Sequence, residues 1–317
     1  MLSENIGKLL CCPVCKSKIE RSGEQFLCTA SECGKQYPVV DGIPVLINED
    51  SSVFLINDFV SRRQTTLDFE TSKGIKGFLV RTMPCIGKNL TGKENYEKFV
   101  GLLAKQSSNP KVLVLGSGIV GSGMEPLMEA EFIDLVETDV AFGPHTNLIC
   151  DAHDIPFADG SFDGVIVQAV LEHVADPYRC AEEIHRVLNS EGLVYADTPF
   201  MQQVHMRQYD FTRFTALGHR RLFRRFEEIY SGISCGPGMA LSWSYQYFLL
   251  SFTTSFILRK LIIYFVSLTS FFLKYFDPYL IKKAGSQDAA SSYYFVGKKS
   301  SHTLSDRELV KQYKGAF

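Results

Sequence analysis

The 317 residues have almost no net charge, because 33 Lys and Arg stand against 35 Asp and Glu, leaving −2. That balance argues against a general polyanion binder, while leaving room for local basic patches. An export leader is not expected either: Met-Leu-Ser-Glu-Asn-Ile-Gly-Lys-Leu-Leu reads as too short and too polar before the first cysteines. Without export, paired cysteines are expected to bind metal rather than form disulfides, and the chain is expected in the cytoplasm. A clean bilayer-spanning run, about 20 predominantly apolar residues, is lacking too. Met239–Leu258 has the length but repeatedly carries Ser, Thr and Gln, and Leu261–Leu273 is too short. Charge is absent from Ile229 to Leu258, where no Asp, Glu, Lys or Arg occurs.

Cysteine is concentrated at one end. Of nine, Cys11, Cys12, Cys15, Cys28 and Cys33 fall near the N-terminus. Cys12-Pro-Val-Cys15 and Cys28-Thr-Ala-Ser-Glu-Cys33 each suit a tight turn offering two thiolates, and two such turns face to face complete a tetrahedral sulfur site for Zn2+. Cys11 is the spare; the Cys-Pro-x-Cys form favours Cys12. So small a module cannot live on its own core, so metal supplies much of its folding energy. Asp41-Gly42, flanked by β-branched residues, reads as a hairpin turn. With the cysteines, residues 8–48 resemble the small zinc-ribbon family whose members activate tRNA and translation-factor methyltransferases. The resemblance implies a docking or stabilising module.

Thr91-Gly-Lys-Glu94 predicts a capping box opening a helix, with Tyr96, Phe99, Val100 and Leu103 on its buried face. Lys111–Leu115 follows as a buried parallel strand. Gly116-Ser117-Gly118 and Gly121 come next, a turn that lets backbone pass close to a nucleotide and opens a helix behind it. Phe132–Asp139 reads as the second strand, ending on Asp139, with Glu137 as its alternate for a pair of ribose hydroxyls. Downstream run Asp151-Ala-His-Asp-Ile-Pro-Phe157, Leu171-Glu-His-Val174, Asp176-Pro177 and Glu183–Leu188. This pattern closely resembles the class I S-adenosylmethionine (SAM) methyltransferases, of the methyltransferase type 11 kind. The resemblance implies an α/β fold: a Rossmann-like, seven-stranded doubly wound sheet with strand seven antiparallel. It also implies SAM as cofactor, held by Gly116, Ser117, Gly118, Gly121, Asp139, Asp151, Ala152 and Gln168. Asp151 would face the adenine amine, and Gln168 would line the crevice from the end of strand four. Two positions depart from the family pattern: Val114 replaces an acidic residue and Val120 a glycine, so Gly121 is expected to take over the tight turn. His173 reads as a packing and hydrogen-bonding residue.

In this fold the segment after strand five faces the methyl group. There His205 is a candidate base, with Asp210 orienting it; Asp210 and Arg213 pairing to cap the next helix is the structural alternative. The His-to-Asp-Phe-Thr-Arg-Phe-Thr run also resembles methyltransferases encoded with surface-polysaccharide enzymes. Arg207, Arg213, Arg220, Arg221, Arg224 and Arg225 form a basic cluster, with Arg220/Arg224 and Arg221/Arg225 spaced to make a helical stripe. Such a stripe fits phosphates or is simply a solvated face.

The expected layout is a zinc ribbon (1–50), a linker of unassigned role (51–90), a methyltransferase core (91–235), an apolar helical insertion (236–290), a final core strand (291–300) and a polar tail (301–317). The insertion reads as a helical hairpin that lies on a membrane through 239–281, covers the acceptor pocket, or pairs two subunits. The expected acceptor is a small molecule, glycan or lipid-linked glycan, methylated on oxygen, with the enzyme cytoplasmic or peripheral at the inner membrane face. An RNA methyltransferase is the first alternative, opposed by the neutral charge and by the lack of an Asn-Pro-Pro-Tyr-type tetrapeptide. A non-catalytic SAM- or partner-binding module is the second.

Overall fold

Lys111–Leu115 has four successive fully buried residues, so both of its faces are covered and it lies at the centre of a sheet. In the computed structural model, which describes residues 3–63, 66 and 84–316, it is β5. Before it come β1 (Ile19–Ser22), β2 (Gln25–Cys28), β3 (Gln36–Val40) and β4 (Ile43–Leu46). After it come β6 (Asp134–Asp139), β7 (Leu148–Cys150), β8 (Phe162–Gln168), β9 (Leu188–Pro199), β10 (Phe226–Cys235) and β11 (Ser292–Lys299). Among the described residues these strands form one sheet, ordered β1-β2-β3-β4-β7-β6-β5-β8-β9-β11-β10. Its last seven members are the expected doubly wound core, and β11 runs antiparallel between β9 and β10.

The ribbon strands extend this core sheet. β4 pairs in parallel with β7, Val45 opposite Ile149 and Leu46 opposite Cys150. The main hydrophobic core likewise runs from Ile6, Leu10, Cys12 and Tyr37 into Leu113, Val165, Val194 and Phe295. A module of this size gains stability by sharing a core.

Helix α1 (Gly92–Gln106) covers one face of the sheet, burying Tyr96, Phe99 and Leu103 against Val112, Ile166 and Tyr195. The expected capping box does not form. Thr91 makes no side-chain cap; instead Asn89 Oδ1 accepts from Thr91 N (3.2 Å) and Gly92 N (2.8 Å), satisfying the helix start from two positions further out. On the opposite face lies α2 (Pro177–Val187), begun as its Asp-Pro pair predicts. Asp176 accepts from Tyr178 N and Arg179 N, and proline takes the first turn. Helix α3 (Ala216–Leu222) shares that face.

The apolar insertion forms a hairpin of α4 (Pro237–Leu250) and α5 (Phe256–Ser270). Gly238 lets the two arms close, because a Cβ there would meet Leu273 O at 2.3 Å. Asp277 returns to accept from Gly238 N (2.7 Å) and Met239 N (3.1 Å), capping α4. The helical stretch Phe256–Leu280 runs 25 residues, with mean hydropathy 1.8 in its most apolar window. It is longer than Leu261–Leu273 suggested, because Arg259, Lys260 and Lys274 do not break it. The outer surface is strongly apolar: Phe252 is 75% exposed, Phe256 71% and Ile257 69%.

The arginine stripe proves to be internal bracing. Helix α3 ends at Leu222, so Arg224 and Arg225 lie beyond it. Arg220 is buried, donating to Phe223 O and Phe226 O and lying over the Phe295 ring. Arg221 and Arg224 pair with Asp306, and Arg225 with Glu182. The polar tail holds part of this bracing, since Gln312 Oε1 accepts from Arg220 Nε at 3.1 Å.

Candidate active site

The C-terminal ends of β5, β6 and β7 open onto a cleft lined by Gly116, Asp139, Asp151, Ala152, Val170 and His173, among others. Crevices at this edge of a parallel sheet are where such folds bind ligands. Gly116 turns the chain with φ +78°, and a Cβ there would sit 2.3 Å from Val170. Gly121 does not take over the tight turn: the positive φ falls on Gly123 (+88°). Gly121 is instead pressed against Gln168, whose Oε1 would be 2.0 Å from an added Cβ. Behind the loop the expected helix shrinks to one turn, Glu125–Met128.

Asp139 lies at the end of β6, and Gly118 N donates to its Oδ2 at 2.8 Å. Burial pushes this carboxyl up to about 6, against the pull of backbone N–H groups including that of Gly118. Glu137, the alternate, points away from the cleft toward His145, 3.6 Å distant. Ser117 Oγ is buried without a partner, a polar atom suited to a ligand.

Asp151 is placed in the cleft wall but is already engaged. Oδ1 accepts from His153 N (3.0 Å) and faces His153 Nδ1 (2.6 Å), while Ser52 Oγ donates to Oδ2 at 2.5 Å. Burial would raise this carboxyl, but the His153 ring and Ser52 hold it below the usual range. Ser52 belongs to the linker whose role the sequence leaves open. Asn48 and Ser51 bond Asp154, and Phe54 packs on Tyr209 with ring centroids 5.4 Å apart. Val53 and Phe54 close over the cleft, leaving a cavity of about 70 Å³. Ligand pockets commonly measure roughly 300–1,000 Å³, so this cavity is small for a nucleoside site. Residues 64–65 and 67–83 of the linker lie outside the described residues. Gln168 does not line this cavity; it accepts from Tyr96 Oη (2.9 Å) and donates to Ser122 O (3.2 Å), bracing the glycine loop.

Beyond His173 the loop after β9 carries His205 and Asp210. Asp210 binds Arg213 through both oxygens and accepts from His205 N (2.8 Å) and Met206 N (3.3 Å). Burial raises its carboxyl, and Arg213 with these N–H groups outweighs that, holding it near about 2. Its Oδ2 lies 3.6 Å from His205 Nδ1, beyond hydrogen-bond length; Asp210 and Arg213 do pair, but Thr215 rather than either of them caps the next helix. The His205 ring lies edge-on to His173, centroids 4.9 Å apart, and faces Trp243 of α4. Glu172, Gln203 and Trp243 each keep a buried polar atom without a partner among the described residues.

In the ribbon, the four cysteines converge. One donor atom from each of Cys12, Cys15, Cys28 and Cys33 lies within 4.8 Å of the others. The Cys12–Cys33 and Cys15–Cys28 Sγ separations are 3.7 and 3.4 Å, near the edge of about 3.8 Å that a tetrahedron with Zn–S of about 2.3 Å requires. Tyr37 Oη, 3.1 Å from Cys12 Sγ, supplies an outer hydrogen bond. The residues present fit a zinc ion. Cys11 is turned away, its N–H bonded to Pro156 O.

Residues 76–196 match the family model described as a methyltransferase domain. Over that stretch the chain is similar to methyltransferases, and the four-cysteine cluster ahead of it is compatible with a zinc-ribbon N-terminal region. It is 36% identical over 98 residues to a demethylmenaquinone methyltransferase of Paenarthrobacter aurescens (strain TC1), covering 27% of this chain and 38% of that protein. It is 39% identical over 51 residues to the UPF0434 protein of Vesicomyosocius okutanii subsp. Calyptogena okutanii (strain HA), 16% of this chain and 83% of that one. Among solved structures, Haemonchus contortus phosphoethanolamine N-methyltransferase 2 in complex with SAM overlaps 65% of this chain and 52% of its own, at TM-score 0.42 and 13% identity.

Proposed function

We propose that the protein transfers a methyl group from SAM to a hydroxyl of a small-molecule, glycan or lipid-linked acceptor, working at the inner face of a membrane. The observation carrying this is the cluster between the β9 loop and α4. His205, Gln203, Glu172 and Trp243 meet there, and three of them hold buried polar atoms awaiting partners. A ligand rich in hydroxyl groups satisfies such atoms.

In this reading Asp139, Gly116, Ser117 and Gly118 hold the nucleoside, with Asp151 and Ala152 as the adenine wall. The bound cofactor supplies an electrophilic methyl on sulfonium. The protein's contribution is alignment and, for a hydroxyl acceptor, removal of its proton. His205 is the candidate base. Burial lowers its basicity, against Gln203 O and Asp210, so the ring is neutral and able to accept a proton at physiological pH. Zinc in the cysteine quartet has a structural role.

The membrane part rests on the hairpin. Phe256, Ile257, Leu261, Phe272 and Tyr275 are exposed on its outer side, and Lys260, Lys274 and Lys283 lie over neighbouring aromatic rings. An apolar face rimmed by cations suits an anionic lipid surface.

The test is calorimetry with SAM, followed by transfer of labelled methyl to lipid-extracted and water-soluble glycans. Binding weakened by Asp139→Ala and label in the lipid fraction are expected. No SAM binding, with the variant indistinguishable, would sink the enzyme reading. Label in RNA, lost steeply with added salt, would move the activity to the nucleic-acid alternative.

A further inference from the structure

Glu172 is fully buried, and among the described residues neither of its carboxylate oxygens has a hydrogen-bond partner. An ionised carboxylate in that position is costly unless something positive meets it. Its own backbone N–H and the Arg213 charge offset that cost only in part, and the side chain beside it is an imidazole. His173 Nδ1 is 2.8 Å from Tyr209 O, which requires a proton on Nδ1 and leaves Nε2 as a bare acceptor. That Nε2 lies 3.6 Å from Glu172 Oε1.

His205 repeats the pattern. Its Nδ1 is 3.2 Å from Gln203 O and 3.6 Å from Asp210 Oδ2, two acceptors that call for a proton there; Arg213 Nη2 lies 3.4 Å away on the same side. Its Nε2 lone pair is thereby left free. One donor atom each from Glu172, His173 and His205 lies within 4.8 Å of the other two.

We infer that Glu172, His173 and His205 form a binding site for a divalent transition-metal ion at the acceptor side of the cleft. Two imidazoles and one carboxylate suit Zn2+, Fe2+, Co2+ or Mn2+ and leave positions open. The 3.6 Å contact is near the roughly 3.4 Å expected between neighbouring ligands of a tetrahedral ion bound at about 2.0–2.1 Å. Backbone carbonyls fix both rings through Nδ1, the outer support that metal-bound histidines use. The backbone is tied as well, since Phe211 N and Thr212 N both donate to Glu172 O, locking the motif after β8 to the His205 loop.

This inference rests on the acceptor reading above and changes one role within it. With an ion present, His205 ligates rather than acting as free base, and an acceptor hydroxyl at an open position is made acidic by the metal. Metal binding is measurable without any acceptor, so failure of one reading does not entail failure of the other.

The experiment uses the purified, untagged full chain with its cysteine site loaded, dialysed against micromolar Co2+. The expected result is about one added Co2+ per chain, with weak visible bands and no thiolate charge transfer. Glu172→Gln, close in shape, should weaken this binding at least tenfold while leaving the melting curve and the cysteine-bound metal unchanged; His173→Gln should do the same. No added ion in the natural protein, or equal uptake by Glu172→Gln, overturns the site and leaves Glu172 holding a proton. Charge-transfer bands on the added cobalt would place it on cysteines and also overturn the site.

Discussion

With Asp139 holding the ribose as proposed, cofactor affinity and fold stability should respond to pH in opposite directions. Burial lifts its carboxyl from 3.8 to about 6. To accept hydrogen bonds from two ribose hydroxyls, the group must be ionised. At pH 5 about one molecule in eleven is ionised, so SAM affinity should fall about tenfold relative to pH 7.5, and by about another tenfold per unit below that. Stability runs the other way. A carboxyl whose folded pKa is raised binds its proton more tightly when folded, so its contribution is present below 3.8 and is lost as pH rises through about 6. The roughly two-unit shift corresponds to about 3 kcal/mol. Asp197, which burial raises to about 7 despite donors Ser234 and Asn89, extends the stability trend upward. The assay pairs calorimetric SAM titrations with denaturant melts of the ligand-free protein from pH 4.5 to 8. Asp139→Asn should flatten the binding curve and remove part of the stability slope. A natural protein whose SAM affinity stays level between pH 5 and 7.5 would refute the reasoning.

The shared core predicts that stripping metal from the cysteine quartet lowers a single melting transition for the whole chain. Two separate transitions, with the methyltransferase part unmoved, would contradict it. Arg220→Ala removes a buried cation from two carbonyls, Gln312, Glu228 and the Phe295 ring, and should cost about 3–5 kcal/mol in a urea melt. Arg225→Ala, at a partly exposed pair, should cost within about 1 kcal/mol.

Much of this architecture was legible because its signals are local. Asp176-Pro177 opens a helix from its own side chain and ring, two close cysteine pairs announce their site, and the run at Lys111–Leu115 reads directly as a buried strand. What escaped depended on partners distant in sequence. Thr91 and Glu94 had the spacing of a cap, but Asn89 took the role from outside the motif. The arginines were spaced as a stripe, and only the fold brings Asp306 and Glu182 to them. Residues 51–63 carry no clear period because only Ile56–Val60 is helical there, while Val53 and Phe54 before it line the cleft. Their serines matter through Asp151 and Asp154, about a hundred positions away. Glu172 was visible beside His173, but its burial without a partner follows from the loop folded over it.

The linker also explains why the ribbon belongs to the same chain as the enzyme domain. Leu46 is held in register against Cys150, the residue before Asp151. Asn48 and Ser51 then bond Asp154, and Ser52 bonds Asp151. Six residues thus carry the path from the cysteine module to the cleft wall at Asp151, with hydrogen bonds between the two along the way. A ribbon on a separate chain would have to recreate that register at each encounter, whereas a covalent one keeps it at high effective concentration. In the proposed arrangement the ribbon would anchor one end of the segment bearing Val53 and Phe54, which leaves β4 where it pairs with the core sheet and runs on to line the cleft.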